Sequence, residues 1–272
     1  FDGSNPVWDE TLKYICDQKN SMIPVSLVWC WKRPPLAPLL ECLPHLITLR
    51  DSQREMIQNE RDLVNGISYI AANYIKSKNY YLETLRPLIF FYHLEGWLEI
   101  FKHKHELFGF IRDQFNKFDF NPYLVGISVS PVSKMSVESY RGLDGVARYN
   151  DLPDFFGIDY QNFKLRTLEY TSDWPRVMEM LKSHDLDFIP SVSLGWNATL
   201  RFFGLKTKEN RGYPLSPIVE SPTLDDIKWC LDFTQNKVEK LNVKMYSICA
   251  WNEWTENASM EYYYSLPGVL AY

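Results

Sequence analysis

Short apolar runs that end abruptly in tryptophan, histidine or acid recur along this chain, separated by longer stretches of helical period. Residues 22–29 are continuous and apolar, the pattern of a strand covered on both faces, and run directly into Cys30-Trp31-Lys32-Arg33-Pro34-Pro35. The same pattern predicts strands over 86–92, ending in His93, over 123–129, closed by Ser130-Pro131, and over 143–149. Two more are expected over 187–194, leading into Gly195-Trp196-Asn197, and over 243–250. Between them, apolar positions recur at helical spacing. Asn5 and Pro6 open a helix reaching Lys19, Met56 to Ile75 mark one over 52–78, and Leu107, Ile111, Phe115 and Phe118 mark one over 96–118. Thr171 or Ser172 caps a helix over 173–184, and Ser221-Pro222 starts another with Leu224, Ile227, Leu231, Val238 and Leu241 on its apolar face. The stretch 150–170 carries too many polar, glycine and aromatic interruptions for an element and is expected to be an excursion, with 204–220 a loop.

Strands alternating with helices imply a parallel α/β sheet with covered faces. Function at the carboxyl ends of several such strands is the habit of the (β/α)8 TIM barrel. The six expected strands start at Met22, Pro87, Tyr123, Leu143, Asp187 and Val243, two fewer than a full barrel. The chain opens on Phe1-Asp2-Gly3, neither an initiator Met nor a signal peptide. The expectation is therefore a single barrel domain over 1–272 that begins in mid-domain, with two βα units upstream.

Composition narrows the partners. At 46% hydrophobic and 23% charged the 272 residues are ordinary for a soluble globular protein, and a net charge of −5 with scattered Lys and Arg offers no footprint for nucleic acid. No apolar run reaches the roughly 18 residues of a membrane span. The five cysteines (16, 30, 42, 230 and 249) are odd in number without CxxC spacing, so neither a disulfide framework nor a zinc site is suggested, and a reducing, cytoplasmic location is expected. Two sequons, at Asn197 and Asn257, fall where glycans would block the expected cleft, which favours the same location. Aromatics make up 15% of the chain, an excess that suits either a carbohydrate-binding surface or an aromatic core.

The densest chemistry follows the last strand, in Trp251-Asn252-Glu253-Trp254-Thr255-Glu256-Asn257. Two tryptophans supply flat apolar faces for a sugar ring, and two glutamates three apart supply the paired acids of glycoside chemistry. Glu253 and Glu256 are thus the candidate catalytic pair, although acids in loops commonly only cap or solvate. Trp29, Trp31, Trp196, Trp251 and Trp254 follow or end strands that should converge on one face, where each could also be core. Asn197, Asn252 and Arg201 would bond hydroxyls, Arg201 serving equally well in a structural ion pair. His93 and Tyr149 at strand ends are further candidate sugar contacts, and Glu95 and Glu261 candidate cleft carboxylates. His103 and His105, two apart, fall on different helical faces, which disfavours a metal.

The Trp251–Glu256 stretch resembles the WNEW-x-E signature of glycoside hydrolase family 99-like proteins, the WbsX-like group of bacterial polysaccharide biosynthesis. Supporting blocks occur in the family's order. Val28-Trp29-Cys30-Trp31 resembles a strand ending in W-A-N-E, residues 86–92 a K-P-hydrophobic strand, and Ile189-Pro190 through Gly195-Trp196-Asn197 and Arg201 a P-x-x-x-x-G-W-D-N stretch. Three departures stand out: Lys32 replaces the acid of the first block, Asn197 an Asp, and Asn257 a Gly.

The resemblance implies a (β/α)8 barrel acting on an oligosaccharide or polysaccharide without metal or organic cofactor. Family 99 enzymes are endo-α-mannosidases or mannanases that retain configuration, one carboxylate deprotonating the sugar's 2-hydroxyl and the other serving as acid and then base. By motif, Glu253 takes the first role and Glu256 the second. Two alternatives stay open: sugar transfer in O-antigen or capsule assembly, for which the chain lacks a glycine-rich phosphate loop and an Asp-x-Asp motif, and a non-catalytic glycan-binding barrel.

Overall fold

The computed structural model describes residues 13–14, 16, 24–30, 57–104, 106–129, 132, 136–149, 163–195, 222–249, 252–253 and 258–259, the last four by their backbone. These fall into two compact units. The first holds the described residues up to Tyr149 together with 176–189, and the second holds 163–175 and the residues from Pro190 onward.

In the first unit five strands run parallel: β1 (Leu27–Cys30), β3 (Arg86–Tyr92), β4 (Tyr123–Ser128), β5 (Gly145–Arg148) and β6 (Asp187–Ile189), paired in that order. The short β2 (Leu82–Glu83) folds back antiparallel on the start of β3. All five parallel strands are among those expected from the sequence, because continuous apolar runs are what a sheet covered on both faces requires.

Parallel register assigns the faces. Trp29 pairs with Phe91, Phe91 with Gly126 and Gly126 with Val146, so these four share one face. The row Cys30, Tyr92, Ile127, Ala147 and Ile189 shares the other. Helices α1 (Glu60–Asn73), α2 (Leu94–Ile100) and α3 (Leu107–Asn116) supply residues that pack on the first face. There the Trp97 ring stands edge-on to Trp29 and Phe91 at 5.4 and 5.2 Å, and Phe91 lies 5.3 Å from Phe108. This aromatic cluster is the core of the unit, and it accounts for part of the aromatic excess.

Two expected helices differ in extent. The helix expected over 52–78 runs over Glu60–Asn73, because the Asn59 side chain accepts the Asp62 N–H at 3.1 Å and caps it there. The one expected over 96–118 is two helices, α2 and α3. Phe101 is buried and stacks on Trp97, and the polar run after it turns, with Lys104 N–H donating to the Phe101 carbonyl. His103 is exposed, and His105 lies outside the described residues.

The amino edge of the sheet is pinned by charge. Arg86 and Arg112 both donate to the Asp144 carboxylate, at 2.7–2.9 Å, and the Leu124 N–H donates to it as well, at 2.8 Å. Burial alone would raise the Asp144 pKa, but the hydrogen bonds from Arg86, Leu124 and Arg112 hold it below its ordinary range. Tyr123 donates to Asp187 at the same edge.

In the second unit, α4 (Phe163–Thr171) occupies part of the stretch expected to be an excursion. Its period is hidden because polar Arg166 and Thr167 are buried while Leu165 and Leu168 are exposed. Helix α5 (Trp174–Lys182), whose residues from Arg176 onward belong to the first unit, follows the expected 173–184 closely. The strand expected over 187–194 is interrupted at Pro190, so that β6 pairs with β5 whereas β7 (Ser191–Ser193) pairs in parallel with β8 (Ser247–Cys249). Before β8, α6 (Leu224–Leu241) starts in a Thr223–Asp226 capping box and ends at Asn242 in the left-handed region. Among the described residues the sheets are open and close no barrel.

Candidate functional site

Strand β8 leads straight into the glutamate-rich stretch. β7 and β8 are parallel in the register Ser191↔Ser247, Val192↔Ile248 and Ser193↔Cys249, and the Leu194 N–H donates to the Cys249 carbonyl at 3.2 Å. The sequence therefore continues from one edge into both Gly195-Trp196-Asn197 and Ala250-Trp251-Asn252-Glu253. Gly195 has a φ of +134°, a conformation open to glycine and strained for any side chain. Arg166, buried on α4, donates to the Ser193 carbonyl at 3.0 Å and so fixes the last residue of β7.

Beyond β8 the structure adds a feature that the sequence reading took for a plain loop. Asn252–Glu253 (β9) pairs antiparallel with Ala258–Ser259 (β10), Glu253 opposite Ala258 and Asn252 opposite Ser259. Glu253 is thus the last residue of a strand, with only residues 254–257 between it and the returning strand. Pairing restricts the backbone that bears this acid. Trp31, Trp196, Asn197, Arg201, Trp251, Trp254, Glu256 and Glu261 lie outside the described residues.

A second group of sequence candidates gathers at the carboxyl edge of the first unit. Tyr92, the last residue of β3, and Tyr149, which follows β5, meet edge to face at 4.9 Å. His93, next to Tyr92, has a φ of +57° and turns the chain directly into α2. Glu95, in the first turn of α2, accepts from the Ser128 hydroxyl at 2.6 Å and from the Val129 N–H at 3.3 Å. Burial, then the charge of Glu95, pushes the Tyr140 hydroxyl up, and burial pushes the Cys30 thiol up. The edge thus offers phenol, imidazole and carboxylate groups, a set suited to hydroxyl-rich ligands.

Trp29 does not belong to that edge. It is 5% exposed, and its ring lies against Gly66, Phe91 and Trp97, so the sugar contact expected of it is replaced by a core role. The reason is register, since pairing with Phe91 puts Trp29 on the helix-covered face. Tyr92 was not singled out from the sequence, although its place as the last residue of an apolar strand was the available signal.

No family model matches the chain, and no curated protein matches it. Solved structures do. The chain is similar to the GH99 endo-α-mannosidase from Bacteroides thetaiotaomicron in complex with Bis-Tris propane, at 21% identity over 73% of this chain and 54% of that one, with a TM-score of 0.47. A further structure of the endo-α-mannosidase from that organism aligns at 21% identity over 73% and 51%, with a TM-score of 0.45. A glycoside hydrolase-like protein aligns at 18% identity over 74% and 53%, with a TM-score of 0.48. The chain spans about half the length of these structures.

Among the described residues no cluster of three or more His, Cys, Asp or Glu side chains could hold a metal ion. No described helix is long and apolar enough to cross a membrane. Of the described cysteines, Cys16, Cys230 and Cys249 are buried and Cys30 is half-buried.

Proposed function

We propose that this chain is the glycan-cleaving part of a glycoside hydrolase that acts on α-mannoside-type or related linkages with retention of configuration. The observation that carries the reading is the placement of Trp251-Asn252-Glu253-Trp254-Thr255-Glu256. It follows a strand paired in parallel with the one that leads into Gly195-Trp196-Asn197, and Glu253 ends a paired strand. Aromatic faces, amides and two carboxylates therefore issue from neighbouring strands at a carboxyl edge, where α/β proteins build their sites. The same reading takes the parallel strands as part of a (β/α)8 barrel.

In this mechanism Glu253 removes the proton of the sugar's 2-hydroxyl, whose oxygen attacks the anomeric carbon as the glycosidic bond breaks. Glu256 gives its proton to the leaving oxygen, then takes one from the water that attacks the anomeric carbon of the strained intermediate. Glu253 meanwhile returns its proton to the 2-oxygen as the bond between that oxygen and the anomeric carbon breaks. The tryptophans hold the sugar's C–H faces while Asn197, Asn252 and Arg201 hold hydroxyls.

The test incubates the intact protein with α-mannans and bacterial surface polysaccharides, with Glu253→Gln and Glu256→Gln alongside. The expected result is release of shorter glycans of retained configuration, reduced about 10²–10⁴-fold in each variant. Absence of release from every substrate, with glycan binding equal in all three proteins, would identify a non-catalytic binding barrel instead.

A further inference from the structure

We propose that Glu95 is the positioning residue of a sugar-binding corner formed by the Tyr92 and Tyr149 rings at the carboxyl edge of the first unit. The corner's ligand class, a neutral pyranose, rests on the glycan-active reading above. The positioning role rests on the contacts alone.

The left-handed turn at His93 joins β3 to α2 without a loop. It places Leu94 against the backbone of Gly126, where an added methyl would meet Leu94 at 2.9 Å. The next residue, Glu95, thereby reaches the end of β4. One carboxylate oxygen accepts from the Ser128 hydroxyl and the other from the Val129 N–H. Ser128 is fully buried, and its own carbonyl accepts the Tyr149 N–H at 3.0 Å. Tyr149 then sets its ring edge to face with Tyr92.

A continuous line of contacts runs from the carboxylate to the aromatic pair. Charge-assisted bonds are short and directional, so both carboxylate oxygens fix the strand end more tightly than a neutral side chain would. The amino edge already has its own anchor in Asp144, so this second half-buried carboxylate is spent at the end of the sheet where strands carry chemistry. Two half-buried phenols with ring planes 75° apart offer a sugar an apolar face and hydroxyls that can both donate and accept.

The test uses the intact protein labelled with 3-fluorotyrosine, with Tyr92→Phe, Tyr149→Phe and Tyr123→Phe assigning the fluorine resonances. Glu95→Ala, Glu95→Gln and Ser128→Ala are compared after circular dichroism has shown each to be folded. Each is titrated with α-linked manno-oligosaccharides. We expect Glu95→Ala to move the Tyr149 and Tyr92 resonances, leave Tyr123 in place and weaken binding about tenfold, the size of one lost charged hydrogen bond. Ser128→Ala, which removes a single bond, should do the same more weakly. Glu95→Gln, which keeps one acceptor oxygen but loses the charge and the second acceptor, should recover only part of both effects. Unmoved Tyr149 and Tyr92 resonances, or moved resonances with unchanged affinity, overturn the positioning role. A parent that binds no manno-oligosaccharide overturns the sugar ligand and counts against the proposed function, while the resonances still decide the positioning role.

Discussion

The Trp29 ring lies over Gly66 of α1 so closely that a methyl group at position 66 would fall 2.5 Å from its Cζ2 atom. This glycine interrupts an otherwise helical pattern, and the indole from β1 explains why. Gly66→Ala gains helix propensity of about 1 kcal/mol but overpacks the core, at a cost of about 1–3 kcal/mol. A net loss of about 1 kcal/mol is expected in urea unfolding. The loss should shrink in a Trp29→Phe background, since the atom that clashes is gone and the two positions are coupled.

The Asp144 carboxylate carries the acid sensitivity of the amino edge. Its folded pKa is held below the ordinary 3.8. The stabilisation is therefore complete above the unfolded value and fades as pH falls through the lowered folded value. Asp144→Asn should remove that part of the acid dependence and cost about 2 kcal/mol at neutral pH, less than a fully buried pair because the three side chains keep some exposure. Denaturant unfolding of parent and variant between pH 3 and 7 checks both, and parallel curves would contradict the assignment.

The turn between β2 and β3 holds Thr84 and Leu85 at φ of +49° and +66°, and Leu85 is 88% exposed. Two-residue hairpins with positive φ favour glycine or asparagine. Leu85→Gly loses no packing and relieves a left-handed penalty, so a gain of about 1 kcal/mol is expected from the denaturation midpoint.

Gly195 stands where β7 gives way to Trp196 and Asn197, at a φ no other residue adopts comfortably. Gly195→Ala should cost about 1–3 kcal/mol and lower glycan affinity. An equally stable variant with parental affinity would show that the backbone there can relax without consequence.

Most of the sheet was legible because burial on both faces writes a strand as an unbroken apolar run. Residues 86–92 and 123–128 are the clear cases. Helix α4 was not legible, since its buried face carries Arg166 and Thr167 and its exposed face leucines. Arg166 is buried because the Ser193 carbonyl needs a donor, a relation 27 residues away in sequence.

For the candidate site, the sequence by itself determined which side chains are available: two glutamates among tryptophans and amides, and strand ends that carry His93 and Tyr149. Residue chemistry is local, so it can be read in order along the chain. Only the tertiary structure decided that Trp29 belongs to the core, that Glu253 ends a paired strand, and that Glu95 holds Ser128. Each of these depends on strand register or pairing, and register is set by contacts between segments distant in sequence.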